Sequence, residues 1–268
     1  MERRGRVRVF ITGGSSGIGA ALGQAFAARG ARVVLTARHR GRLEEVREAI
    51  RRQGGWVEVV EGDVTQDNSL VAAVREACRL LGGLDVVVAN AGFGVVGKVE
   101  DLALEDFRRQ FETNVFGVLR TVKATLPALR ESRGVLVIMG SVSSYLTVPG
   151  AAPYAMSKFA VRALAESLRG ELAPYGISVV LLTPGFVASN IRRVDNRGVL
   201  HPDAPDPVPG WLVMPAERAA RKMVRAILRR KAELVVTCHG QLAVWLARHL
   251  PHFVRFLAMR LRARSSPQ

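Results

Sequence analysis

The sequence predicts a single doubly wound α/β domain, a parallel sheet of about seven strands with helices on both faces, followed by a C-terminal amphipathic helical extension. Three observations predict it. Short, almost continuously apolar runs recur along the chain, as expected of strands buried on both faces of a parallel sheet. They alternate with longer stretches of helical pattern, with no internal repeat and no long linker. A Gly-rich turn follows directly on the first run, in the strand–turn–helix context of a phosphate-binding loop.

Residues 7–11 are the first Val/Ile-rich run, and the turn leads into a helical stretch at 18–29. Strand-like runs at 32–36, 56–60 and 84–89 follow, separated by helical stretches at 42–53 and 69–81. One long helix is expected over 104–130, then a strand at 135–139, a helix at 153–172 and a strand at 177–182. A helix at 216–229 leads to a seventh strand at 234–237. Before it, Pro202, Pro205, Pro207, Pro209 and Pro215 gather five of the 12 prolines, which excludes a long helix and predicts a shaped loop. The expected division is a cofactor-binding and catalytic domain over residues 1–239 and a basic extension over 240–268.

Composition excludes several classes. Cys78 and Cys238 are the only cysteines, too few for a disulfide framework or a CxxC ligand set, so a reducing compartment is expected. The pairs Cys238-His239 and His249/His252 lack a full ligand set, and no metal is expected. A membrane span needs about 18 uninterrupted apolar residues; the best stretch, 242–259, is broken by Arg248, His249, Pro251, His252 and Arg255. The basic start at residues 2–8 is followed by a Gly/Ser turn rather than a signal-peptide core. A cytoplasmic protein is expected, soluble or peripheral to the inner face of a membrane.

The unusual number is charge. Lys and Arg total 39 against 23 acids, a net +16. From Arg218 onward there are 12 basic residues and a single acid, Glu233. Charge alone is an argument about association, and the chain carries no nucleic-acid reader motif, so nucleic acid is not the expected partner.

The turn reads Thr12-Gly13-Gly14-Ser15-Ser16-Gly17-Ile18-Gly19. Glycines let the backbone approach a pyrophosphate, and the new helix offers free N–H groups and its positive dipole end. Its TGxxxGxG spacing resembles the short-chain dehydrogenase/reductase family, and the likeness continues in order along the chain. Gly62-Asp63-Val64 follows the third strand, Asn90-Ala91-Gly92 the fourth, and Asn114 lies in the long helix. Ser141 follows the fifth strand, then come Tyr154-Ala155-Met156-Ser157-Lys158 and Pro184-Gly185 after the sixth. The likeness covers roughly residues 5–190 and implies a Rossmann-type fold. It also implies that Gly13, Ser15, Ser16, Gly17, Ile18 and Gly19 cradle the cofactor and that Asp63 and Val64 hold its adenine. Asn90, Ala91 and Gly92 are then expected to brace the central sheet and the cofactor. Pro184-Gly185-Phe186-Val187-Ala188-Ser189 resembles the family's PGxVxT segment, with Ser189 keeping the hydroxyl.

The second strand ends at Ala37-Arg38 where an acid would select an unphosphorylated ribose. A guanidinium there suits a 2′-phosphate, so NADP(H) is favoured over NAD(H). The plainer reading is that Arg38 only solvates a strand end.

Tyr154 and Lys158, four apart, share one helix face. A free tyrosine has a pKa of about 10, and a neighbouring ammonium is expected to lower it. The family uses such a pair as proton donor and ribose holder, which implies a tetrad of Asn114, Ser141, Tyr154 and Lys158. Ser141 would polarise the carbonyl, and Asn114 would hold a water behind Lys158. Gly140 departs from the serine many relatives carry there. Phe93, Val95, Tyr145, Leu146 and Phe186, on the loops after the fourth to sixth strands, line the expected substrate pocket. That lining favours an apolar carbonyl or alcohol over a sugar. Weaker likenesses point to 3-ketosphinganine reductases and 11β-hydroxysteroid dehydrogenases. The resemblance implies a homodimer or homotetramer pairing through 104–130 and 153–172. The basic apolar extension fits an anionic membrane surface, a cover over the pocket or a subunit contact. A redox-sensing regulator without turnover, or a reductase of small polar carbonyls, are the other functions considered.

Overall fold

The computed structural model describes residues 6–252; residues 1–5, and residues 253–268 of the expected extension, lie outside the described residues. Seven strands form one sheet: β1 (Arg8–Thr12), β2 (Arg32–Ala37), β3 (Trp56–Glu61), β4 (Val86–Ala89), β5 (Val135–Met139), β6 (Ser178–Thr183) and β7 (Glu233–Val235). Their order is β3-β2-β1-β4-β5-β6-β7, every neighbouring pair parallel. Alternation along each strand divides the core. Val9 and Ile11 of β1 pack with Leu22 and Phe26 of α1 (Gly17–Ala27), Ile50 of α2 (Arg40–Arg52) and Met223 and Ile227 of α7 (Ala216–Leu228). Phe10 points the other way, into a cluster with Leu70 of α3 (Asp67–Leu81), Val122 of α5 (Gly117–Ser132) and Val161 of α6 (Ala152–Leu172). Each large buried side chain contributes about 1.5–3 kcal/mol by leaving water.

The expected helix over 104–130 is corrected. It divides into α4 (Leu104–Phe111), a wider π turn at Glu112–Phe116, and α5. A π turn inserts one extra residue and re-aims the side chains in it; here it carries the buried Asn114. The seventh strand is also shorter than the expected 234–237. Thr237 caps α8 (Cys238–His249), its Oγ accepting the Gly240 N–H.

Strand order reverses between β1 and β4, the point where open α/β sheets leave a crevice. Both ends of that junction are clamped. At the amino end, Arg8 donates to Asp85 through its backbone N–H and guanidinium at 2.8–3.0 Å. Burial pushes the Asp85 carboxyl up, but the Arg8 hydrogen bonds and charge outweigh it and hold the carboxyl below the usual range. At the carboxyl end, the buried Thr12 Oγ accepts the N–H groups of Asn90 and Ala91, both at 3.1 Å. Asn90 Nδ2 returns a bond to the Thr12 carbonyl at 2.9 Å.

Thr12→Val keeps the shape but strands two partly buried N–H groups. Urea unfolding is expected to show a loss of about 1–3 kcal/mol. Unchanged stability would show that the clamp does not hold the junction.

Candidate active site

The carboxyl ends of β1, β4, β5 and β6 converge at the crevice, and the sequence-predicted residues gather there. The turn after β1 needs glycine where it is tightest. Gly13 has φ of +67°, and a Cβ there would lie 2.8 Å from Ala91 Cα. A Cβ on Gly19 would lie 2.2 Å from the Gly13 carbonyl oxygen. Ser16 precedes α1 without capping it, and no acid sits in the first turn. The helix therefore presents uncapped N–H groups and unneutralised dipole beside Gly13, Ser15, Gly17 and Ile18, a cradle fitted to a pyrophosphate. Ser189 closes it from the far side, 3.1 Å from where a Gly17 Cβ would stand. Pro184 accepts the Val142 N–H at 3.0 Å, while Val187 is buried and pairs with Met214.

Arg38 is exposed just past β2, and among the described residues no acid pairs with it. Asp63 accepts the Thr65 N–H and hydroxyl at 2.9 and 2.8 Å, and Val64 packs where a Gly117 Cβ would stand.

Ser141 ends the turn after β5, its Oγ accepting the Ser143 N–H at 3.1 Å. Tyr154 sits opposite on the first turn of α6, with the Gly94 backbone laid along its ring. Burial pushes the Tyr154 phenol up, while the Ser141 hydrogen bond and the Arg192 charge pull it back. Lys158 lies one helical turn on, buried, donating to the Met139 carbonyl at 2.9 Å. Desolvation brings its pKa from 10.5 down to about 8. Its Nζ lies 5.7 Å from the tyrosine ring centre, and the Arg192 guanidinium adds a second positive charge that favours the phenolate.

Asn114 spends its carboxamide on positioning. Its Oδ1 accepts the Phe93 N–H at 3.1 Å, and its Nδ2 donates to the Phe93 carbonyl and to Ser157 Oγ at 3.0 and 3.2 Å. Ser157 in turn donates to the Tyr154 carbonyl at 2.7 Å. The loop over the tyrosine and the helix beneath it are thus tied through one amide.

The expected substrate residues divide. Phe93 and Leu146 are half-buried at the site, and Phe186 stacks on His239 with ring centres 5.4 Å apart. Val95 is fully buried, its N–H held by Gln110 Oε1 at 2.6 Å. Tyr145 turns away: its hydroxyl bonds to Glu233, and Arg162 and Arg248 flank its ring at 4.0 and 4.7 Å.

Four residues escaped sequence reasoning. Arg192 forms a two-pronged bond to Asp206 at 2.7 and 2.5 Å, folding the Pro-rich loop back on itself. Asn196 accepts the Val96 N–H at 3.0 Å and donates to the Val96 carbonyl at 2.8 Å, latching that loop onto the one beside Tyr154. The Phe186 N–H donates to His239 at 3.2 Å. Gln110, one turn before Asn114, also donates to the Phe93 carbonyl at 2.9 Å. Their spacing carried no signal, because each meets a partner on another loop.

Comparison with known proteins agrees with this geometry. The family described as short chain dehydrogenase matches residues 7–199. The uncharacterized oxidoreductase YusZ of Bacillus subtilis (strain 168) is 38% identical, across 68% of this chain and 65% of its own length, just under two thirds. The 11-beta-hydroxysteroid dehydrogenase A of Sesamum indicum is 33% identical across 97% of this chain and 76% of its own. Among solved structures, an alcohol dehydrogenase from the archaeon Thermococcus sibiricus complexed with 5-hydroxy-NADP superposes with a TM-score of 0.74. It shares 28% identity over 86% of this chain and 96% of that one. With the crevice, the glycine cradle and the tyrosine–lysine turn all in place, the chain belongs to the short-chain dehydrogenase/reductase family of NAD(P)-dependent oxidoreductases.

Proposed function

We propose that the protein reduces the carbonyl of an apolar substrate at the expense of NADPH, with Tyr154 as proton donor. The observation that carries this reading is the half-buried Tyr154, facing the Ser141 hydroxyl beneath a latched loop. When bound, the nicotinamide supplies the hydride. Ser141 polarises the carbonyl oxygen, and Tyr154 gives its proton to the developing alkoxide; oxidation of an alcohol runs the same steps backwards. Lys158, one turn on from Tyr154, would hold the cofactor's ribose, and Asn114 fixes the loop and helix that carry these groups. A regulator without turnover would have no need of the Tyr154–Ser141 pairing.

Several observations support the finer reading. The unpaired Arg38 favours NADP(H), and the Thermococcus structure was solved with an NADP analogue. Phe93, Leu146 and Phe186 offer an apolar lining, in keeping with the likeness to a hydroxysteroid dehydrogenase. The π turn exposes Phe116, α5 Leu119, and α6 Met156 and Phe159, which supports pairing of two copies through those helices. We place the enzyme in the cytoplasm, with its extension against the inner face of a membrane.

Tyr154→Phe is expected to abolish turnover, measured as NADPH consumption across a panel of apolar ketones, while NADPH binding persists. Retained turnover would remove Tyr154 from its role. Arg38→Asp should weaken NADPH binding by about ten- to a hundred-fold, the worth of a charge-assisted hydrogen bond, and spare NADH. Lys158 gives a pH signature. Its folded pKa of about 8 lies below the ordinary 10.5, so its charge is present below about pH 8 and lost above it. NADPH affinity should therefore fall as pH rises through about 8, with proton uptake on binding visible by calorimetry. In Lys158→Met the affinity is weaker and flat across that range; a slope identical to that of the parent would assign the titration elsewhere.

A further inference from the structure

The catalytic account leaves most of the positive charge unused. α7 exposes Arg218, Arg221, Arg225 and Arg229 at helical spacing. Among the described residues no carboxylate lies within ion-pairing distance of any of them. Where α7 leads into β7, this stripe reaches the amino-terminal edge of the sheet and becomes a built surface. Arg230 adopts φ of +52° and its guanidinium donates to the carbonyls of Gly176 and Arg133 and to Ser178 Oγ. Arg133, ending α5, adopts φ of +49°, with its stem against Gly176. Such angles are uncommon outside glycine, and here two arginines adopt them side by side. The Arg130 guanidinium lies 4.0 Å from the Tyr175 ring centre. Together Arg130, Arg133, Tyr175 and Gly176 line a surface hollow of about 460 Å³. Two of the neighbouring acids are engaged elsewhere, Glu233 with Arg248 and Tyr145 and Glu171 with Ser167.

α8 brings apolar surface to the same β7 side of the sheet. It starts beside the end of β7, where Gln241 donates to the Val235 carbonyl, and its last turn reaches the start of β7 through Arg248 and Glu233 at 2.6 Å. That turn exposes Trp245 and Leu250, with Leu242 one turn before, and Trp245 stacks on His249 at 5.0 Å. The chain continues from there into residues 253–268, whose sequence adds Arg255, Arg260, Arg262 and Arg264.

We propose that this edge, comprising Arg130, Arg133, Arg229, Arg230 and Lys231 beside Trp245 and Leu250, docks on an anionic phospholipid bilayer. An exposed indole and leucines next to unpaired arginines match the boundary between acyl chains and acidic headgroups; a nucleic-acid surface would have no use for the leucines. The inference deepens the membrane reading of the extension and moves the contact onto the folded domain.

The test is co-sedimentation of the full chain with vesicles of phosphatidylcholine alone and of phosphatidylcholine mixed with phosphatidylglycerol. The parent sediments with the mixed vesicles only, and added salt releases it. In Arg133→Gln/Arg229→Gln/Lys231→Gln, affinity for the mixed vesicles falls on the order of a hundred-fold, about five-fold for each basic residue lost. Trp245→Ser weakens it as well. NADPH-linked turnover of a water-soluble ketone is unchanged in both variants, which shows that they fold and separates this outcome from failure of the catalytic reading. Equal vesicle binding by parent and triple variant overturns the proposal. So does binding that duplex DNA displaces while Trp245→Ser leaves it intact, the behaviour of a nucleic-acid surface.

Discussion

The junction of β1 and β4 is the constraint on which the rest of the structure depends. A parallel sheet whose strand order reverses must open a crevice there, and two loops must leave it in opposite directions without tearing the sheet apart. The Thr12 hydroxyl and the Asn90 amide hold that point by accepting and returning bonds across it. Arg8 and Asp85 hold its other end. Because the seam is fixed, the glycine turn after β1 lies against Ala91, and the uncapped start of α1 faces the crevice.

The second half of the site is governed by desolvation. On one turn of α6, Tyr154 is half-buried and Lys158 buried, and desolvation disfavours the charged form of each: the phenol is held neutral, and the ammonium gives up its proton more readily. Such a pair is poised to pass a proton only if opposing interactions are held in place. Ser141 and Arg192 supply these at the tyrosine, and the Met139 carbonyl orients the lysine. The Asn114 amide then keeps loop and helix in register, so the groups do not drift apart.

Much of this was legible in the sequence because it depends on local rules. Strand and helix periods, the glycines of the first turn and the four-residue spacing of Tyr154 and Lys158 are set by short-range backbone geometry. The π turn at Glu112–Phe116 was not legible, since one extra residue leaves the apolar period nearly intact. Arg192 with Asp206, and Asn196 with Val96, were not legible because their partners are brought together by a proline-shaped loop without periodicity. Tyr145 shows the converse: its sequence position suited the pocket, but Glu233 and two arginines claimed it.

By itself, then, the sequence determined the alternation of strands and helices, the phosphate cradle and the residues of the reacting end. Each is encoded within a few consecutive positions whose geometry the backbone dictates. Tertiary structure alone decided which charge the tyrosine faces, which loop closes over it, and where the excess arginines lie. Electrostatic environment and burial are properties of the assembled neighbourhood, and residues far apart in the chain create them together. The net +16 was visible from the start. Its concentration beside Trp245 at one edge of the sheet became visible only when α5, α7 and α8 were folded against β6 and β7.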